Sequence, residues 1–158
     1  MTPSSAGVSL VQEFEGCEER RPDGTFAAYP DPATKADPWT IGWGSTGPDV
    51  TPGTIWTQQQ CDDRLTQDLT SFSAGVSNAI GGAATTQHQF DAMVSFAYNL
   101  GIGALQGSTL LKLHKQGQFA AAQAEFGKWN KARVNGVLQP MAGLTRRRAA
   151  EAALYGTP

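Results

Sequence analysis

Three residues of this 158-residue chain, Glu15, Asp31 and Thr40, are of the types needed to split an acetal bond. Cleaving a glycosidic bond takes one protonated carboxyl that donates to the leaving oxygen, and a second group that stabilises the oxocarbenium-like state or activates water. Glu15 suits the first role. Ser4 or Ser5 can cap a helix with Val8, Leu10, Val11 and Phe14 on an imperfect apolar stripe, and Gly16 can stop it, which leaves Glu15 in the last turn. A carboxyl there faces the negative end of the helix dipole, which favours its protonated form. A neighbouring arginine would act in the opposite sense and fix its orientation.

Asp31 lies in Ala28-Tyr29-Pro30-Asp31-Pro32, where the prolines hold the chain extended. Thr40 begins the run Thr40-Ile41-Gly42-Trp43-Gly44, in which glycines let backbone approach a sugar ring and the hydroxyl can hold a water. Taken singly these residues are ordinary. A Glu at a helix end is more often a solvated acid, an Asp before Pro a turn former, and a Thr in a strand a strand former. Their weight comes from their order along the chain.

The elements that must position them follow from the patterning. From Gly16 to Gly53 the chain is rich in Gly and Pro, with the turn pair Asp23-Gly24 and short apolar runs at Phe26 to Tyr29 and Trp39 to Trp43, which predicts a small, irregular antiparallel sheet. Thr57 can cap a helix with Cys61, Leu65, Leu69 and Phe72 at near-helical intervals. Gln87 to Leu100 is apolar almost all round and reads as a buried helix ended by Gly101-Ile102-Gly103. Ser108 can cap a helix through Lys115, Phe119 to Trp129 forms another, and Asn135-Gly136 is a tight turn. A last helix from about Gly143 carries Arg146, Arg147 and Arg148 near its start. The expectation is one α+β domain over 1–158. A β-containing lobe spans about 16–56, a helical lobe about 57–158 plus the N-terminal helix, and a cleft lies between them.

Composition narrows the function. A hydrophobic content of 40% permits a sizeable core, and a net charge of −2 argues against a general nucleic-acid binder, leaving a polar, uncharged substrate as the better fit. The first residues show no basic region followed by an apolar run, and no segment approaches the roughly 20 apolar residues of a membrane span, so a soluble protein without a Sec-type signal or membrane anchor is expected. Cys17 and Cys61 lack metal-ligand spacing and read as free thiols in a reducing compartment, with a disulfide tying the first helix to a later one as the alternative. With only His88 and His114 available, no metal site is expected, and no cofactor.

Phe14-Glu15-Gly16, then Ala28-Tyr29-Pro30-Asp31, then Trp39-Thr40-Ile41-Gly42-Trp43-Gly44, resembles the catalytic signature of phage lysozymes of glycoside hydrolase family 24. The similarity continues through Gln89 to Gly101, Phe126 to Asn130, and Gly143 to Glu151, in the same order, and so covers nearly the whole chain. Relative to the shorter family pattern, about seven residues around Glu18 to Phe26 and about three between Asp31 and Thr40 are inserted, which surface connections tolerate. The insertions make Asp23 and Asp37 competitors of Asp31, although only Asp31 follows the Ala-Tyr-x pattern. Ser45 stands where the family commonly has histidine, and Trp43 where tyrosine is usual.

The resemblance implies a lysozyme-like fold and an endolysin that hydrolyses the β-1,4 bond between N-acetylmuramic acid and N-acetylglucosamine in peptidoglycan. Glu15 would be the general acid, Asp31 the second carboxylate, and Thr40 the residue that helps place the attacking water. An arginine of the Arg146 to Arg148 cluster would neighbour Glu15, with Arg146 and Arg148 as candidates. Asn99 could hydrogen-bond an acetamido group, and Trp129 could stack on sugar or close the floor of the site. The implied partners are glycan strands and a holin that releases a monomeric enzyme from the host cytoplasm to the wall. Two other readings share the sequence. A lytic transglycosylase would cleave the same bond using the sugar's own hydroxyl, and an inactive wall-binding module would not need Glu15 at all.

Overall fold

The computed structural model describes residues 1–32 and 34–158. Its elements run α1 (Ser5–Glu15), β1 (Phe26–Ala27), β2 (Ile55–Trp56), α2 (Gln58–Ile80), α3 (Gln87–Leu100), α4 (Ile102–Gln106), α5 (Thr109–Lys115), α6 (Phe119–Glu125), a 3-10 turn (Phe126–Lys128), β3 (Lys131–Val134), β4 (Val137–Pro140) and α7 (Ala142–Tyr155). The chain forms two compact units, one of Gln12–Leu69 and one of Met1–Val11 with Thr70–Pro158.

The Gln12–Leu69 unit holds the irregular sheet. β1 and β2 pair antiparallel, Phe26 opposite Trp56 and Ala27 opposite Ile55, and single bridges join Arg20 to Phe26, Tyr29 to Thr40 and Ile41 to Ser45. The runs expected as strands are therefore mostly isolated bridges, because the Gly and Pro residues between them break any longer ladder. Phe26, Ile41, Val50 and Cys61 form the core, and Cys17, Ala28, Trp39, Trp43 and Trp56 pack against it. The start of α2 is fixed by a reciprocal cap: Gln60 N–H donates to Thr57 Oγ1 at 3.2 Å, and Thr57 N–H donates to Gln60 Oε1 at 2.8 Å.

The other unit is built around α3, in which every residue from Gln89 to Ala97 is buried. A Thr86–Gln89 capping box starts the helix, and Phe96 meets Phe126 and Trp129 edge to face, at centroid distances of 5.8 and 5.3 Å. The buried polar residues of α3 are paired. Asp91 accepts from Ser4 N–H at 2.9 Å, from the Ser4 hydroxyl and from Gln87 Nε2 at 2.8 Å. That contact leaves no room for a side chain at Gly7, where a Cβ would stand 2.8 Å from Asp91 Cγ.

The segment after Phe119 departs from the helical expectation. α6 ends at Glu125 and tightens into the 3-10 turn, and β3 and β4 then form a hairpin, Lys131 opposite Pro140 and Val134 opposite Val137. The Asn135-Gly136 pair makes its turn with both residues at positive φ, 50° and 79°, the backbone sense that matches strand twist.

Candidate active site

Glu15 closes α1 and is half-buried. The loop that follows Thr40 comes up against it. A Cβ added to Gly44 would stand 2.8 Å from Glu15 Oε2, and Gly44 has φ +88°, so both the contact and the backbone conformation call for glycine. Two residues earlier, Gly42 has φ +63°, and a Cβ there would lie 2.9 Å from both Cβ and Sγ of Cys61. The alternation of glycines in Thr-Ile-Gly-Trp-Gly thus fits the loop to a carboxylate on one side and to α2 on the other.

The two residues between and after those glycines are tied to α2 by hydrogen bonds. Trp43 Nε1 donates to Asp62 Oδ1 at 2.7 Å, and Ser45 Oγ donates to Asp68 Oδ2 at 2.8 Å. Asp68 is itself held by Arg64 Nε at 3.0 Å, whose Nη1 and Nη2 reach Asp49 Oδ2 and the Thr46 carbonyl, each at 2.6 Å. Arg64 also lies over the Trp56 ring, 5.6 Å from its centroid. Thr46, Asp49 and Trp56 all lie downstream of the glycine loop. Loop and helix are consequently one polar-linked body, and Asp62, Asp68 and Arg64 are site-positioning residues that the motif alone does not reveal.

Asp31 and Thr40 lie on the two arms of one hairpin-like turn. Tyr29 and Thr40 exchange backbone hydrogen bonds at 2.9 Å in each direction, and Asp31 N–H donates to the Ala36 carbonyl at 3.0 Å. The Asp31 carboxylate also accepts from Thr34 N–H at 3.0 Å, which fixes its side chain on the turn. Asp31 is half-buried and Asp37 is exposed. Asp23, the other competitor, is exposed and already engaged by Thr25, whose N–H and hydroxyl hold its carboxyl below the usual range. Burial, reinforced by the charges of Glu18 and Glu15, pushes the Tyr29 phenol up, which puts Glu15 within electrostatic reach of the arm that carries Asp31.

Cys17 and Cys61 are free thiols. Burial pushes both up, Cys61 to about 12, so each is a neutral thiol near neutral pH, and a hydrogen bond joins the two. Among the described residues, no group of three or more His, Cys, Asp or Glu side chains comes together as metal ligands.

The remaining expected residues belong to the helical unit. Arg148 Nη2 donates to Asn99 Oδ1 at 2.8 Å, and its guanidinium stands 5.1 Å from the centroid of Phe96, the ring against which Trp129 packs. Asn99, Trp129 and Arg148 therefore form one assembly, whereas Arg146 is exposed on α7. Arg147, which the sequence did not single out, is buried with Arg148 around Glu151. Arg147 Nε donates to Glu151 Oε1 at 3.2 Å, Arg148 Nε lies 2.9 Å from Oε2, and Ser95 Oγ donates to Oε1 at 2.7 Å. Desolvation pushes the Glu151 carboxyl up while Arg148, Ser95 and Arg147 oppose it. The spacing from Arg147 and Arg148 to Glu151, four and three residues on a helix, was the available signal.

Residues 12–151 match the model of the phage lysozyme family. The chain is 42% identical to the endolysin of Bacillus phage PZA over its whole length, spanning 57% of that relative. It is 37% identical to the endolysin of Acyrthosiphon pisum secondary endosymbiont phage 1, with 96% of each chain covered. Among solved structures, the muramidase domain of SpmX from Asticaccaulis excentricus superposes with a TM-score of 0.85 at 35% identity, covering 98% of this chain and 97% of that one. The endolysin from Escherichia coli O157:H7 phage FAHEc1 gives 0.84 at 36% identity, covering 99% and 94%.

Proposed function

Since this chain belongs to the phage lysozyme family, we propose that it is an endolysin that hydrolyses the β-1,4 bond between N-acetylmuramic acid and N-acetylglucosamine in peptidoglycan. The observation that carries the reading is the seat of Glu15, a half-buried carboxyl at the end of α1 with the Gly44 backbone of the Thr40–Gly44 loop packed against its Oε2. In this reading Glu15 donates its proton to the leaving glycosidic oxygen. Asp31 offsets the positive charge that develops on the sugar ring, and the Thr40 hydroxyl holds the attacking water. Glu15 recovers its proton as that water is consumed. Asn99, oriented by Arg148, and Trp129, backed by Phe96, serve the glycan, and Arg146 adds positive charge on α7.

The family's role in phage lysis supports a monomeric enzyme that reaches the wall from the host cytoplasm with the help of a holin. Among the described residues, no helix is long and apolar enough to cross a membrane. The direct test is purified sacculi incubated with wild type and with Glu15→Gln. New reducing ends from wild type alone are expected, because the amide keeps the shape and cannot donate the proton. Clearance by the variant at the wild-type rate would remove Glu15 from the mechanism.

A further inference from the structure

The charge of this chain is unevenly placed. The stretch from Phe126 to Ala150 contains Lys128, Lys131, Arg133, Arg146, Arg147 and Arg148, half of the twelve cationic residues, and no Asp or Glu. All fourteen acids lie outside it, against six cations. Arg147 and Arg148 are neutralised by Glu151, and Lys128 pairs with Glu125 at 2.6 Å. Lys131 and Arg133 are exposed and have no acidic partner among the described residues. Arg133 makes one long hydrogen bond to the Gly136 carbonyl, at 3.3 Å.

The register of the β3–β4 hairpin puts those two cations on one face. Directly opposed residues of an antiparallel pair share a side, so Lys131 and Arg133 stand beside Pro140 and Leu138, all four exposed and Leu138 at 55%. Two cations two residues apart on a strand are separated by roughly 6.6 Å, with apolar surface next to each. The hairpin springs from Trp129 and Asn130, and Asn130 Nδ2 donates to Thr145 Oγ1 on α7 at 3.1 Å. The face is thus continuous in sequence with Trp129, which the proposed function assigns to the glycan.

We propose that the exposed face of the hairpin, Lys131, Arg133, Leu138 and Pro140, docks the stem peptides that hang from the muramic acid residues of the substrate. Such peptides carry free carboxylates interspersed with alanine methyl groups, the complement of two spaced cations beside apolar surface. The proposal rests on the reading of this chain as a muramidase and adds to it a second contact, made to peptide. A bare glycan chain is recognised at the sugars only.

The test compares wild type with the double variant Lys131→Glu, Arg133→Glu on two substrates: intact sacculi, and glycan strands stripped of peptide by an N-acetylmuramoyl-alanine amidase. Both side chains are exposed, and matching denaturant midpoints check that the fold is kept. The variant is expected to lose about tenfold on intact sacculi, mainly through a raised KM, and to stay within about twofold of wild type on stripped strands. A loss of equal size on both substrates, or no loss on either, overturns the docking surface. A variant unchanged on sacculi that loses retention on a DNA column overturns it in favour of a polyphosphate site. Wild type that cleaves neither substrate overturns the muramidase reading, and the docking proposal with it.

Discussion

Gly44 and Glu15 are in steric register: the Cα of the glycine comes so near the carboxylate that a single added methyl would lie 2.8 Å from Oε2. Backbone therefore forms one wall of the acid's seat. That arrangement lets the loop fix the position of the carboxyl by contact alone.

Gly44→Ala is accordingly expected to damage both fold and reaction. A non-glycine residue at φ +88° costs about 1–3 kcal/mol. The methyl also pushes Glu15 off its position, and a displacement of about 1 Å costs on the order of 10²-fold in rate. Denaturant unfolding and the rate of reducing-end release, measured on the same preparation, check the two effects separately.

The choice between Asp31 and Asp37 is open to a paired measurement. Asp31→Asn should lower turnover by about 10²–10⁴-fold, and Asp37→Asn, on an exposed side chain, should leave it within about twofold. The opposite pattern would transfer the second carboxylate's role to Asp37.

Trp43→Phe and Ser45→Ala each remove one hydrogen bond to a half-buried carboxylate of α2, Asp62 and Asp68 respectively. Each should cost about 1 kcal/mol. Because both bonds fix the same loop, the double variant should lower kcat by more than the product of the single effects while KM changes little. The Ser45 hydroxyl carries no charge to lose, so its link to Asp68 needs no protonated imidazole. Activity against pH in wild type and in Ser45→Ala should therefore have the same shape.

These links mark the limit of what the sequence discloses. Glu15, Asp31 and Thr40 could be put forward as candidates because their surroundings in the sequence, a helix stop, a Pro-flanked turn and an alternating glycine run, are local. Asp62 and Asp68 were not, since each looks like one more solvated acid on a polar helix and its partner lies 19 or 23 residues upstream. The β3–β4 hairpin was half legible. Asn135-Gly136 announced the turn, but β3 alternates polar and apolar residues over only four positions, Lys131 to Val134, and β4 is exposed throughout and does not alternate, so neither strand announces itself. The buried Arg147, Arg148 and Glu151 illustrate the same point from the core side. A row of arginines reads as a solvated face until the packing of α7 along α3 is known.

His114 gives the helical unit a dependence on pH. It is buried, 2.8 Å from Thr85 Oγ1 and 2.6 Å from Tyr155 Oη, and desolvation lowers its pKa from 6.5. Thr85 spends its proton on the Ala83 carbonyl, so it accepts from Nε2–H, and Nδ1 accepts from Tyr155, whose hydroxyl burial keeps protonated by pushing it up to about 12. Below 6.5 the unfolded chain binds a proton that the folded chain refuses, so stability falls as pH drops from 6.5 through the lower folded pKa. The slope from this residue is at most about 1.4 kcal/mol per pH unit. Denaturant midpoints between about pH 5 and 7 should show it in wild type, and His114→Gln should flatten it.

The most direct test of the central claim is mass spectrometry of the fragments released from purified peptidoglycan, with Glu15→Gln run in parallel. Hydrolysis assisted by Glu15 predicts fragments ending in reducing N-acetylmuramic acid from wild type, and none from the variant. Ends lighter by one water would make the enzyme a transglycosylase, and reducing ends released equally by both proteins would contradict the role of Glu15.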